Sequence, residues 1–279
     1  MTKASRPFSV RRILVAFHPS TASRAAVEGA VEWAARLEAE LDALFVEDVN
    51  VLRLAELPFV RQVSLHGATG QPANMELELR ALAAQAERRL AEAAGRRRIR
   101  WSFKTARGHV EEEVTTAAGQ VDLLILETSS RPIGRETRLE APVRMMIART
   151  AASVLLLQPE RSSAGPVHVL LEAGGNVERT IQAAVELARR YAVPLEVTVF
   201  AAEAEQTEKL LRQAQAQLIG RPIPIRHRSM TRAGAAELQS LVEAVGRGTL
   251  VLDATSRLLE PELAWERIAK APCAVLLVR

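Results

Sequence analysis

Two short polar clusters in this chain each combine a carboxylate, two hydroxyls and an arginine. In both, an acidic residue and one intervening residue precede the two hydroxyl residues and the arginine. Hydroxyls and a guanidinium can together hold a small anion. The pattern favours ordinary turn chemistry with a solvated arginine, and an anion site is the alternative. The candidates are Glu127, Ser129, Ser130 and Arg131 in the first cluster and Asp253, Thr255, Ser256 and Arg257 in the second.

Two further groups of candidate residues follow apolar runs. His18 and Ser20 come after ILVAF, and Glu172 and Gly174 come after VHVLL. A glycine pair before a helix can bring backbone amides close to a phosphate. This pair lacks the spacing of a dinucleotide-binding fingerprint, however, and a glycine turn with Asn176 as the helix cap explains it better.

No group of residues is spaced for metal binding. None of the five histidines pairs with a cysteine or another histidine at the usual separation. The acidic run 111–113 fits the first turn of a helix, where negative charge complements the helix dipole. We therefore expect no metal site and no catalytic residue, and the sequence favours a non-catalytic protein over an enzyme.

The clusters occupy equivalent places in an internal repeat. A shift of 154 residues lays Ala30 on Ala184, and a shift of 126 lays LLILETSSR (123–131) on TLVLDATSR (249–257). A shift of 121 lays SVLLL (153–157) on AVLLV (274–278). Three blocks that align in one order indicate a tandem repeat whose second copy is shorter.

Short apolar runs alternate with amphipathic stretches in both copies. Runs without polar alternation are typical of strands buried on both faces, and helices between them imply a parallel sheet. We predict an α/β fold of two tandem five-stranded parallel-sheet domains related by a pseudo-two-fold axis. The predicted domains are residues 8–158 and 166–279, joined by a turn-rich linker at 158–166. The second helices are expected at Met75–Ala94 and Glu203–Leu218.

The order of elements, the opening ILVAF-H-P-S and the closing APCAVLLV (271–278) resemble the universal stress protein family. The resemblance covers nearly the whole chain in two copies, and it implies a fold like that of the adenine nucleotide alpha hydrolases. In ligand-binding members of the family, ATP lies across the carboxyl ends of the first and fourth strands. That location agrees with the general rule for open α/β sheets.

The resemblance also implies a phosphate loop after the fourth strand: glycine, two residues, glycine, nine residues, glycine, then serine or threonine. The first copy has Glu127, Ser130, Glu140 and Ala141 at those positions, and the second has Asp253, Ser256, Pro261 and Glu262. The family favours aspartate after strand one, where this chain has His18 and Glu172. Carboxylates near a triphosphate repel it, so we predict no cofactor, with ATP as the alternative.

Two features concern the surfaces of the fold. The segment 48–74 is present only in the first copy and is too apolar for a free loop, so we expect it to be partly helical and to cover the carboxyl end of the first sheet. The apolar strands Val154–Leu157 and Val275–Val278 would be exposed edges, so we expect them to pair within the chain.

Composition restricts the partners and the compartment. The net charge is +4, but the densest basic run, at 96–100, fits a solvated helix end, so we expect no nucleic acid partner. No apolar run is long enough to span a membrane, and the single cysteine, Cys273, fits a reducing compartment. We therefore expect a cytoplasmic protein with no membrane partner.

The sequence favours a stress-response or regulatory protein without tight ATP binding. We expect the two copies to pair within the chain, with a homodimer as a further form of self-association. We also expect protein partners that the sequence does not identify. The alternatives are a nucleotide-binding switch with at most slow hydrolysis and a sensor of another small ligand under the 48–74 segment.

Overall fold

The computed structural model describes residues 8–17, 23–55, 62–63, 69–70, 73–128, 141–158, 165–201, 203–218, 225–230 and 235–279. The first half contains β1 (Arg12–Phe17), α1 (Arg24–Leu37), β2 (Glu40–Asp48), α2 (Val49–Ala55), β3 (Gln62–Val63), β4 (Thr69–Gly70), α3 (Ala73–Arg97), β5 (Trp101–Gly108), α4 (Val110–Ala118), β6 (Leu123–Glu127), α5 (Ala141–Arg149) and β7 (Ser153–Leu157). The second half contains β8 (Val167–Glu172), α6 (Val177–Tyr191), β9 (Leu195–Phe200), α7 (Ala204–Leu218), β10 (Ile225–Met230), α8 (Ala235–Val245), β11 (Thr249–Asp253), α9 (Glu262–Ala269) and β12 (Ala274–Val278).

Ten strands form one sheet in the order β10-β9-β8-β11-β12-β7-β6-β1-β2-β5. Each half contributes five parallel strands in the same order, with its first strand at the centre, which is a doubly wound arrangement. This confirms the predicted α/β fold. The strand order reverses direction between the first and fourth strands of each half. The carboxyl ends of these two strands therefore border a crevice.

The last strands of the two halves join the sheet. β7 and β12 are antiparallel, and Leu155 pairs with Leu276 at the centre of the register. All five residues of each strand are buried. The predicted pairing is confirmed, and its antiparallel direction relates the two halves by a pseudo-two-fold axis.

The helices lie on both faces of this sheet and bury the apolar residues expected from their spacing. In α1, Ala26, Ala30, Trp33 and Leu37 are all buried, as the helical periodicity predicts. One core cluster lies under α1, α3, α6 and α7, and the other lies under α4, α5, α8 and α9. Both clusters contain residues of both halves.

The helices α1 and α6 meet where the two halves join. The rings of Trp33 and Tyr191 pack edge to face with centroids 5.4 Å apart, and the Arg36 guanidinium lies 4.3 Å above the Tyr191 ring. Arg190 forms an ion pair with Glu38 at 3.1 Å. Aromatic and cation–π contacts thus reinforce the strand pairing on this face of the sheet.

The insertion in the first half begins with α2, directly after the carboxyl end of β2. The expectation that 48–74 is partly helical is therefore confirmed for Val49–Ala55. The side chain of Leu54 is 54% exposed, so this residue does not pack as an apolar cover. Residues 56–61, 64–68 and 71–72 lie outside the described residues, and whether the segment covers the sheet edge remains a prediction.

Candidate functional site

The second half brings two acidic residues together at the crevice. Glu172 is the last residue of β8 and Asp253 is the last residue of β11, and these strands are neighbours in the sheet. Only 7% of Glu172 and 8% of Asp253 is exposed. Buried carboxylates need hydrogen-bond donors, and the loops that follow the two strands provide them.

Glu172 binds the turn that follows β11. Its Oε2 accepts a hydrogen bond from Ser256 Oγ at 2.7 Å and from the Arg257 amide at 3.0 Å. Ser256 Oγ in turn accepts from the Leu258 amide at 3.2 Å and begins a short 3₁₀ turn, Arg257–Leu259. The Arg257 side chain is largely exposed, and its Nε lies 3.9 Å from Glu172 Oε1.

Asp253 binds the loop that follows β8, so each of the two carboxylates contacts the loop that follows the other strand. Its Oδ2 accepts from the Asn176 amide at 2.6 Å. Its Oδ1 accepts from the amide and the hydroxyl of Thr255, at 2.7 and 2.5 Å. The strand-one loop and the strand-four loop are therefore tied to each other by two carboxylates.

The glycine pair allows this close approach. Gly174 has φ +95°, a conformation that favours glycine because it lacks Cβ. A Cβ atom at Gly175 would lie 3.3 Å from Asp253 Oδ2, so a side chain there would crowd the carboxylate. Asn176 caps α6, as predicted, by accepting from the Arg179 amide at 3.2 Å.

The backbone amides of this crevice already donate to the protein itself. Amides at a strand end and a helix start are the groups that bind anionic ligands in α/β folds. Here the amides of Asn176, Thr255 and Arg257 donate to the carboxylates of Asp253 and Glu172. We call these two carboxylates and three amides the carboxylate plug.

The first half repeats part of this arrangement. Glu127 ends β6 and is partly buried, and its Oε1 lies 3.5 Å from Oγ of Ser23, the residue that caps α1. The acid at the end of the fourth strand thus faces the cap of the first helix in both halves. The predicted site residues His18, Ser20, Ser129, Ser130 and Arg131 lie outside the described residues.

The sequence predicted the residues of this site but not their contacts. We expected carboxylates in this crevice to repel a phosphate, and the structure shows that those of the second half accept from main-chain amides across it. The Asn176 amide and Ser23 were not among the predicted site residues. Their only sequence signal is that each lies at the start of the first helix of its copy.

Neither metal binding nor membrane insertion has support in the part of the chain that the structure describes. Its His, Cys, Asp and Glu side chains form no group of three or more that could hold a metal ion. Among the same residues, no helix has the length and apolar character needed to cross a bilayer.

Two doubly wound units joined edge to edge, each with its crevice between the first and fourth strands, define a class of tandem α/β proteins. The chain has the tandem universal stress protein fold, which confirms the resemblance at the level of structure. A universal stress protein from Archaeoglobus fulgidus DSM 4304 is similar over 98% of this chain and 97% of its own, with a TM-score of 0.72 and 12% identity.

Two other solved structures share the whole architecture. A putative universal stress protein from Pseudomonas aeruginosa UCBPP-PA14 matches 96% of this chain and 93% of its own, with a TM-score of 0.62 and 14% identity. The cytoplasmic domain of a prokaryotic cation chloride cotransporter matches 96% of both chains, with a TM-score of 0.53 and 14% identity. No family model matches the sequence, and no curated protein matches it either.

Proposed function

We propose that this chain is a non-catalytic, universal stress protein-like regulatory protein that does not bind ATP tightly. The observation that carries the proposal is the carboxylate plug. Asp253 and Glu172 accept from the same kinds of amide that a phosphate would need in this crevice. A nucleotide would have to displace both carboxylates before its phosphates could bind there.

Electrostatic repulsion between the carboxylates and a phosphate contributes to the free-energy cost of nucleotide binding. Two like charges about 4 Å apart cost roughly 1–4 kcal/mol at effective dielectric constants between 80 and 20. One such pair would lower the affinity by about one to three powers of ten. Loss of the hydrogen bonds to Asp253 and Glu172 would add to this cost, because a buried carboxylate without donors is unstable.

For the first half, the proposal rests on residue types. Glu127 and Glu140 replace two glycines of the family's phosphate loop, Ser130 replaces the third, and Ala141 removes the hydroxyl. Side chains at glycine positions obstruct the approach of the backbone to phosphate. Glu127 also faces the residue that caps α1. Its carboxylate therefore lies at the start of a helix, where a phosphate would bind.

Calorimetry with Mg-ATP tests the proposal on the full chain. We expect no dissociation constant below about 10 μM, which corresponds to roughly −7 kcal/mol. Tighter binding would support the nucleotide switch instead. Release of a different small molecule on heating the purified protein would support the alternative of a ligand sensor.

A variant of the second half gives the complementary test. Glu172→Gln with Asp253→Gly removes both charges of the carboxylate plug, and the glycine also frees the amides of Asn176 and Thr255. We expect measurable binding of inorganic phosphate or Mg-ATP by this double variant. Glu260→Gln is the matched control, because it removes an exposed negative charge near the same loop without affecting the plug.

For the first half, glycine at 127, 130 and 140 with serine at 141 restores the family's loop. Gain of ATP binding by this variant would show that the fold is competent and that only the loop has been lost. If neither set of substitutions produced binding, the carboxylates and the missing glycines would not be the reason for weak affinity.

We also propose that the folded surface acts on protein partners, or on a second copy of the chain, in the cytoplasm. The structural likeness to the cytoplasmic domain of a cation chloride cotransporter supports the cytoplasmic location, because that domain uses the same tandem fold. Pull-down with the full chain, followed by identification of bound proteins, is the direct measurement. Light scattering in parallel gives the oligomeric state.

A further inference from the structure

A cavity of about 310 Å³ lies in the first half, away from the crevice. It is bounded by one face of β1, β2 and β5 and by the side of α4 that faces them. Arg12 is the first residue of β1, and Ser102 is the second residue of β5, so the cavity lies toward the amino ends of the strands. The nucleotide position of the fold is at the opposite ends.

The floor of the cavity is apolar, and its wall is mixed, with Thr116 and Gln120 beside apolar side chains. Leu14 and Leu44 form the floor, and both are buried. Ala106 lies beside them on β5, and Ala117 of α4 and Val121 lie opposite. Small side chains at 106 and 117 leave room between the edge strand and the helix, and the volume is at the lower end of the range for small-molecule sites.

One end of the cavity contains two cationic side chains, Arg12 and Lys104, and one acid, Asp42. Arg12 is paired with Asp42 at 2.7 Å, and Ser102 Oγ donates to the other oxygen of Asp42 at 2.7 Å. Lys104 lines the same end and has no ion-pair partner within the described ranges. The charge of Asp42 is therefore already compensated, whereas that of Lys104 is not.

The other acid that lines the cavity is Glu113 of α4, which lies near the carboxyl end of β5. The carboxylate of Glu113 packs against Gly108, since a Cβ at Gly108 would lie 2.5 Å from Glu113 Oε1. Gly108 is four residues from Lys104, which is about 13 Å along an extended strand. An anionic group near Lys104 would therefore meet positive charge at one end and apolar surface beyond it.

We propose that this cavity binds a small amphipathic carboxylate, with its aliphatic body on Leu14, Leu44 and Ala117 and its carboxylate on Lys104. This site is independent of the crevice and of the proposed function. Burial of a short alkyl chain supplies affinity in proportion to the apolar area removed from water, and the ion pair with Lys104 selects the head group.

Calorimetry on the full chain with octanoate, octanol and octylammonium tests the proposal. These three probes share an alkyl chain and differ in the charge of the head group. We expect octanoate to bind with a dissociation constant of about 1 mM or lower and octylammonium to bind at least about tenfold more weakly. Equal or tighter binding of octylammonium, or no binding of octanoate, would overturn the proposal.

Variants locate the site. Lys104→Glu changes an exposed side chain, so it should preserve the fold while weakening octanoate binding by about tenfold or more. Lys209→Glu, on the remote helix α7, is the matched control and should leave binding unchanged. Methyl NMR provides a second readout, in which octanoate should shift the Ala106 and Ala117 signals and not that of Ala183. Shifts confined to other methyl groups would place the ligand elsewhere and contradict the proposal.

Discussion

At the residue scale, the crevice of the second half contains two buried acids that hold its loops together. Asp253 accepts three hydrogen bonds, and two of the donors are main-chain amides. Glu172 holds Ser256 and Arg257 in the facing loop. The same two residues therefore stabilise the loops on both sides of the crevice.

Asp253→Ala tests this structural role. We expect the free energy of unfolding to fall by about 2 kcal/mol, because the amides of Asn176 and Thr255 lose a charged acceptor. Chemical denaturation measures the change, with Glu260→Ala as the control for loss of an exposed acid. Equal stability of the two variants would mean that water replaces the carboxylate without cost.

His168 should make the free energy of unfolding depend on pH. Burial lowers the pKa of its imidazole below the ordinary value of 6.5, and Glu196, whose Oε2 lies 3.3 Å from Nδ1, opposes that shift. Since the unfolded chain binds the proton more readily, the stability should fall as the pH decreases through about 6.5. The loss should end once the pH passes below the lowered pKa of the folded state.

Unfolding measured between about pH 5 and 7.5 checks this expectation. His168→Leu introduces the residue that the first copy has at the equivalent position, Leu14, and should flatten the profile in this range. His109→Gln is the control histidine variant. A profile of His168→Leu as steep as that of the parent would assign the pH dependence to other groups.

At the element scale, the helices differ in how much of their stability comes from packing. α1 is capped by Ser23 and buries one side of all its turns, whereas α2 has seven residues and leaves Leu54 exposed. A helix of that length is marginal in isolation. The rest of the stability of α2 must therefore come from its contacts with β2 and α3.

Hydrogen exchange should distinguish these helices. We expect the amides of Arg53 and Leu54, which can donate within α2, to be protected but to exchange faster than the Val31 amide in α1. Complete exchange of Arg53 and Leu54 within seconds would mean that α2 is not populated in solution. Protection equal to that of Val31 would mean that the rest of the 48–74 segment packs over it.

At the scale of the whole molecule, the two halves share one sheet and two core clusters. The antiparallel pair β7–β12 removes two apolar edges that would otherwise promote aggregation. On one face the junction is reinforced by the Trp33–Tyr191 contact, and on the other Gln158 donates to the Ala269 carbonyl at 2.9 Å. Both the strands and the helices therefore hold the halves together.

Leu156→Asp tests the strand pairing. Leu156 is buried and paired with Val275, so an aspartate there would place an unpaired charge in the junction. We expect a loss of about 3–5 kcal/mol in the free energy of unfolding. Leu263→Asp, on an exposed position of α9, should have little effect. Unchanged melting of Leu156→Asp would contradict the pairing.

Limited proteolysis tests the proposed domain limits, 8–158 and 166–279. We expect a cut in the linker 158–166 or no cut at all, and after a cut the two fragments should remain associated because β7 and β12 pair. Gel filtration after cleavage measures the association. A first cut inside 120–128 or 250–253 would be inconsistent with β6 and β11 as buried strands.

The repeat, the buried strands and the helical faces could be predicted from the sequence, because each depends on the local spacing of apolar residues. Burial of Ala26, Ala30, Trp33 and Leu37 follows directly from the 3.6-residue period. The edge pairing of β7 with β12 was also predictable, because an exposed strand as apolar as either of them would be unstable.

The contacts of the acids in the crevice could not be predicted from the sequence, because they depend on long-range packing. A carboxylate at the end of a strand can face a ligand, a cation or an amide, and its own sequence does not distinguish these partners. Asp253 meets Asn176, 77 residues away in the chain, because the strand order places β8 beside β11. The cavity beneath α4 likewise depends on the distance between a helix and an edge strand, which long-range packing sets.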